Sequence, residues 1–135
     1  SGVGTLSIAA SEKAKKVYAI EIVENAVIDA LLNARMNKRD NINFMLGDAF
    51  KSISKIEDKI DTILIDPPRR GLTEEALNSI LNCKPNDIIY ISCNPITLSR
   101  DLKVLLNDYD VKKFYILDMF PYTYHVECVC LLKLK

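Results

Sequence analysis

Six short runs dense in Ile, Val, Leu and Tyr punctuate the sequence, with helical periodicity in most of the gaps, and this alternation constrains the fold more than any other feature. The runs cover residues 16–22, 42–46, 60–65, 87–92, 111–119 and 128–134. Branched and aromatic side chains of this kind suit a pleated, buried surface, so each run reads as a strand. Between 23 and 37, Val23, Ala26, Val27, Ala30, Leu31 and Ala34 fall at the spacing of one helix face, and Glu24, Asp29, Asn33 and Arg35 fall on the other. Helices are also expected over 6–15, over 49–56, and from a Thr73 cap to about 82. Asn94-Pro95 pairs a capping residue with proline at the first helical position, and Leu98, Leu102, Leu105 and Tyr109 mark the buried stripe of the helix that follows. Parallel strands need a crossover element, whereas the last two runs have no helix between them and are expected to pair antiparallel. The expectation is an α/β, doubly wound, Rossmann-like domain: a mostly parallel sheet covered on both faces, with an antiparallel last strand.

At 135 residues and 49% hydrophobic, the chain can bury one core, and it shows no repeat, low-complexity segment or linker. Eighteen basic residues stand against 18 acidic ones, which is not the footprint of a stand-alone nucleic-acid binder. Cys83, Cys93, Cys128 and Cys130 lack metal or redox spacing, and no stretch resembles a signal peptide, so reduced thiols and a cytoplasmic location are expected. No apolar run approaches the roughly 18 residues of a membrane span. Ser1-Gly2-Val3-Gly4-Thr5 reads as the glycine turn that follows a strand, yet no strand precedes it, so a truncated part of a larger protein is expected.

In doubly wound sheets ligands sit beyond the carboxyl ends of the strands, and Gly2, Gly4, Glu21, Asp48, Asp66 and Cys93 all fall at such ends. Gly2 and Gly4 let the main chain approach a cofactor, and Glu21 is placed to accept from ribose hydroxyls. Position 7 is Ser rather than the third glycine of the dinucleotide fingerprint, which disfavours a pyrophosphate. Asp48 suits an adenine amine and suits equally well a helix cap. Asp66-Pro67-Pro68-Arg69 holds a carboxylate and a guanidinium in a stiff loop, where Arg69 suits a phosphate. Cys93 stands between a strand end and a helix start, whose dipole favours a thiolate nucleophile. The other three cysteines read as packing. His125 and Glu127 flank Val126 on one face of an extended segment, as an acid or base pair would.

Taken together, Ser1-Gly2-Val3-Gly4-Thr5, Asp66-Pro67-Pro68-Arg69-x-Gly71, Ser92-Cys93-Asn94-Pro95-x-Thr97-Leu98-x-Arg100-Asp101 and Asp118-Met119-Phe120-Pro121-x-Thr123-x-His125-Val126-Glu127 closely resemble the RNA 5-methyluridine methyltransferases of the RumA/TrmA type. The resemblance runs through the whole chain in order. It implies that Cys93 adds to carbon 6 of a uracil, that S-adenosylmethionine methylates carbon 5, and that Glu127 removes the carbon 5 proton. It further implies cofactor contacts from Thr5, Glu21, Asp48 and Asp66, and an RNA partner, ribosomal RNA before transfer RNA. Reaching the ring requires a flipped base, for which Arg69 and the 120–125 loop with His125 are expected contacts.

Two departures from the family follow. Its strand before the glycine turn is missing, as are an upstream RNA-binding domain and, in some members, an iron-sulfur cluster. The chain alone is therefore expected to bind cofactor weakly and to be inactive, with a sheet that rearranges, gaps or borrows a strand. Three other readings fit less well. Cytosine-5 methyltransferases set their nucleophile after proline, and no Pro-Cys occurs here. A nicotinamide oxidoreductase leaves Cys93 and Glu127 without paired roles, and a non-catalytic module leaves them without any.

Overall fold

The computed structural model describes residues 2–118 and 126–135, which fall into two compact units, Ser1–Ile56 and Glu57–Lys135. The first unit runs α1 (Thr5–Ser11), β1 (Val17–Glu21), α2 (Glu24–Met36), β2 (Ile42–Leu46) and α3 (Ala49–Ile53). β1 and β2 pair in parallel from Val17 opposite Ile42 to Glu21 opposite Leu46. This is the pairing that a helical crossover imposes. Asn41 Nδ2 ties the end of α1 to the start of β2 by donating to Ser11 O and Ala14 O, at 2.9 and 2.8 Å.

Only part of the apolar stripe read on α2 is inside. Ala30 and Ala34 are buried, but Val23 and Leu31 are exposed, as are Ile28, Leu32 and Met36. A two-stranded sheet is a narrow platform, and a Cβ on Gly4 would lie 3.0 Å from Ala30 Cβ, so the helix meets this turn too closely for an easy side chain at position 4.

The second unit runs β3 (Thr62–Ile65), α4 (Glu74–Cys83), β4 (Asp87–Ser92), α5 (Pro95–Leu105), β5 (Tyr109–Leu117) and β6 (Glu127–Leu134), with strand order β3-β4-β6-β5. β3 and β4 are parallel, and β6 is antiparallel to both β4 and β5, so the last strand alone is reversed, as expected. Among the described residues the six strands form two hydrogen-bonded sheets, one of two strands and one of four. Alternate residues of β4 and β6 are buried: Ile88, Tyr90 and Ser92 on one, Cys128, Cys130 and Leu132 on the other. With Ile80 of α4 and Leu98 and Leu105 of α5 they make the core of this unit.

The sequence reading is corrected at Tyr109. It continues the helical spacing of Leu98, Leu102 and Leu105, but α5 stops at Leu105 and Tyr109 opens β5. It is buried nonetheless, because its hydroxyl donates to Pro85 O at 2.9 Å and satisfies the polar end of the ring. Among the described residues, no helix is long and apolar enough to cross a membrane.

Candidate active site

In the first unit the glycine turn is organised around one carboxylate. Glu21, the last residue of β1, accepts from Gly2 N at 2.7 Å through Oε2, and from Ile22 N and Val23 N at 2.8 and 3.0 Å through Oε1. Gly4 N-caps α1 in the left-handed region at φ 89°, and Asn33 Nδ2 of α2 donates to Val3 O at 3.0 Å. Gly47 N donates to Glu21 O at 2.9 Å, so the ends of β1 and β2 are bound together just before Asp48. Asp48 Oδ1 accepts from Phe50 N and Lys51 N and caps α3. The capping alternative is thus realised, and a cap leaves a carboxylate with further acceptor capacity. Gly2, Gly4, Thr5, Glu21 and Asp48 therefore gather at one end of the two-stranded sheet. Nothing lies within 4 Å of where a Cβ on Gly2 would stand, so the turn offers open main chain beside acidic acceptors, a fit for a nucleoside-type cofactor.

In the second unit, Asp66 and Cys93 follow neighbouring parallel strands, β3 and β4. Pro68 O accepts from Gly71 N at 2.8 Å, closing a turn with Arg69 and Arg70 at its tip. That turn is fastened to the start of α5: Arg69 O accepts from Asn94 Nδ2 at 2.9 Å and from Thr97 Oγ1 at 3.1 Å. Asn94 also N-caps α5 by accepting from Ile96 N at 3.1 Å, so the expected Asn-Pro helix start is observed. Cys93 sits between Asn94 and Ser92, whose Oγ accepts from Asn94 N at 3.1 Å.

β6 brings Glu127 to the same end. Ser92, the last residue of β4, is paired with Cys128, so Cys93, which follows Ser92, and Glu127, which precedes Cys128, are the chain neighbours of one strand pair. Strand alternation puts Glu127 on the face of Val129 and Leu131, away from the buried Cys128. His125 and the rest of 120–125 lie outside the described residues. The remaining cysteines behave as packing: Cys128 and Cys130 are buried, and burial raises the thiols of Cys83 and Cys128 and pushes Cys130 up to about 11.

One feature was missed from the sequence. Asp101 of α5 is fully buried and accepts at both oxygens, from Tyr90 Oη at 2.6 Å and Leu72 N at 2.8 Å through Oδ2, and from Arg100 Nε and Nη2 at 2.9 and 2.7 Å through Oδ1. Burial, then the bond to Asp101, hold the Tyr90 hydroxyl far above its ordinary pKa, so Tyr90 is a donor and not a titrating acid. A signal was available: Asp101 lies on the stripe of Leu98 and Leu105, and a carboxylate on an apolar stripe needs a partner.

A family model of the tRNA (uracil-5-)-methyltransferases matches residues 1–135, the whole chain. The chain belongs to this family. It is similar to an RNA methyltransferase of Bacillus cereus, 47% identical over 98% of the chain and 30% of the relative, and to another of Halalkalibacterium halodurans, 46% identical over 99% and 30%. The chain thus spans 30% of the length of these curated relatives. Among solved structures it resembles a tRNA (uracil-54, C5)-methyltransferase of Pyrococcus abyssi in complex with S-adenosyl-L-homocysteine, with TM-score 0.83 and 36% identity over 97% of the chain and 32% of that one. An rRNA methylase of Streptococcus thermophilus, 17% identical, has the same fold, with TM-score 0.78 over 99% of the chain and 82% of that one. The fold is therefore the Rossmann-like α/β fold expected from the strand and helix pattern, and the methyltransferase form of it that the resemblance implies.

Proposed function

We propose that this chain is the catalytic part of a longer cytoplasmic enzyme that transfers a methyl group from S-adenosylmethionine to carbon 5 of a uridine in RNA. The observation that supports the reading is the β4–β6 register, in which Ser92 pairs with Cys128, so that Cys93 and Glu127 both adjoin that pair in a chain of this family. The cofactor supplies the methyl group when bound; Gly2, Gly4, Thr5, Glu21 and Asp48 would hold it. Arg69 and His125 would meet the RNA, whose main hold would lie in a domain outside this chain.

The Cys93 thiolate forms a bond to carbon 6 of the uracil, and the ring electrons shift onto carbon 5 and the carbonyl at position 4. Carbon 5 takes the methyl group. The Glu127 carboxylate then removes the proton from carbon 5, the electron pair re-forms the ring double bond, and the carbon–sulfur bond breaks to return the thiolate. A base of this kind contributes about 10²- to 10⁴-fold in rate.

The test uses the full-length enzyme with S-adenosylmethionine and 5-fluorouridine-containing RNA, transfer and ribosomal in separate arms. Fluorine cannot leave as a proton does, so the carbon–sulfur bond persists and shows as a mass shift under denaturing conditions. The unsubstituted enzyme is expected to form the adduct with one RNA class, and Cys93→Ser with neither. Glu127→Gln should keep a methylated adduct on ordinary uridine RNA, with turnover down about 10²- to 10⁴-fold. No adduct from the unsubstituted enzyme with either RNA would sink the covalent mechanism.

A further inference from the structure

The proposed chemistry leaves part of two motifs unused: Gly71 of the Asp-Pro-Pro-Arg stretch, and Arg100-Asp101 after the cysteine. They meet in the structure. Leu72 is gripped at both main-chain atoms, its N donating to Asp101 Oδ2 at 2.8 Å and its O accepting from Arg100 Nη2 at 2.9 Å. Arg100 Nη2 also lies 3.0 Å from Arg70 O. Gly71, at φ 74°, allows this grip because a Cβ there would stand 2.7 Å from both Arg100 Nη2 and Asp101 Oδ2. Tyr90 joins from the middle of β4, two residues before Ser92 and so three before Cys93.

We propose that Asp101 is a positioning residue: with Tyr90 and Arg100 it locks the turn carrying Arg69 onto the strand and helix that flank Cys93, so that Arg69 and Cys93 meet the substrate as one rigid face. This rests on the reading of Cys93 as the nucleophile. Stability alone explains the network poorly. A carboxylate with no exposed surface is expensive to desolvate, and apolar side chains of equal volume usually hold a core as well or better. What the carboxylate adds is direction. Its two oxygens accept from a strand, a turn and its own helix, and those three elements carry the residues that must not drift. A displacement of about 1 Å at a reacting group costs on the order of 10²-fold in rate.

The full-length enzyme carrying Tyr90→Phe, which keeps the ring and removes one donor, or Asp101→Asn, which keeps the shape and removes the charge, tests this well below the melting temperature. The rate of Cys93 adduct formation on 5-fluorouridine RNA is expected to fall about 10-fold in the first and about 100-fold in the second. KM for S-adenosylmethionine should stay within about threefold, since uniform binding is untouched. Unchanged adduct rates in Tyr90→Phe, with only a lower melting temperature, would reduce the network to packing and overturn the proposal, even if Asp101→Asn failed to fold. Absence of an adduct in the unsubstituted enzyme would instead defeat the nucleophile reading, and the positioning role with it.

Discussion

The two units hold their candidate residues in opposite ways. In the first, one carboxylate, Glu21, gathers three main-chain N–H groups, and the buried apolar residues are Ala19, Ala30 and Ala34. In the second, side chains are tied to one another and to carbonyls through a buried network, above a core of Ile80, Ile88, Tyr90, Leu98, Leu105 and Leu132. Main-chain donors around an acid make an adaptable loop that a ligand can share. A filled core with a satisfied polar network makes a fixed platform, which is what a nucleophile and its base require. In the proposed function, then, the first unit would receive the cofactor and the second would aim the nucleophile.

The sharpest way to break this contrast is Leu105→Ala. Leu105 is fully buried, and its truncation is expected to cost about 2–5 kcal/mol in chemical denaturation. A cost below about 1 kcal/mol would mean that the second unit is no more rigid than the first. Next comes Glu21→Gln, which keeps an acceptor and removes the charge; affinity for S-adenosylmethionine by titration calorimetry should fall about tenfold, or about 1.4 kcal/mol, with adduct formation at saturating cofactor unchanged. If chemistry slowed while affinity held, receiving and aiming would not be separate. The smallest effect is expected at Ile28→Ser on the exposed side of α2, within about 0.5 kcal/mol in an unfolding measurement. A larger loss in the full-length protein would show that another part of that protein covers this face.

Much of this was readable from the sequence where local physics decides. β2 and β4 have the bounds that their apolar runs indicate, and Thr73, Asn94 and Pro95 start their helices as capping chemistry requires. Tyr109 was misplaced because its spacing from Leu105 fits a helix, while the turn through Leu106 and Asp108 that ends α5 carries no glycine or proline to announce it. The α2 stripe was overestimated because periodicity reports which face is apolar, not how much protein lies against it. Asp48 shows a residue whose two readings are compatible, one oxygen capping α3 while acceptor capacity remains. The Asp101 network stayed hidden because its partners are 11 and 29 residues away in sequence, and only the fold brings Tyr90 and Leu72 to it.

The reversed strand β6 also limits how the gene can change length. Its side chains alternate faces, with Cys128 inside and Glu127 on the other side. One codon inserted between them would put Glu127 and the residues after it out of phase, leaving either Glu127 turned inward or Cys128, Cys130 and Leu132 turned out of the core. A two-codon insertion would restore the phase but carry Glu127 two places along the strand from Cys93. A one-residue change of length just after Glu127 is therefore expected to be intolerable, which a deletion scan would expose as an abrupt border rather than a gradient.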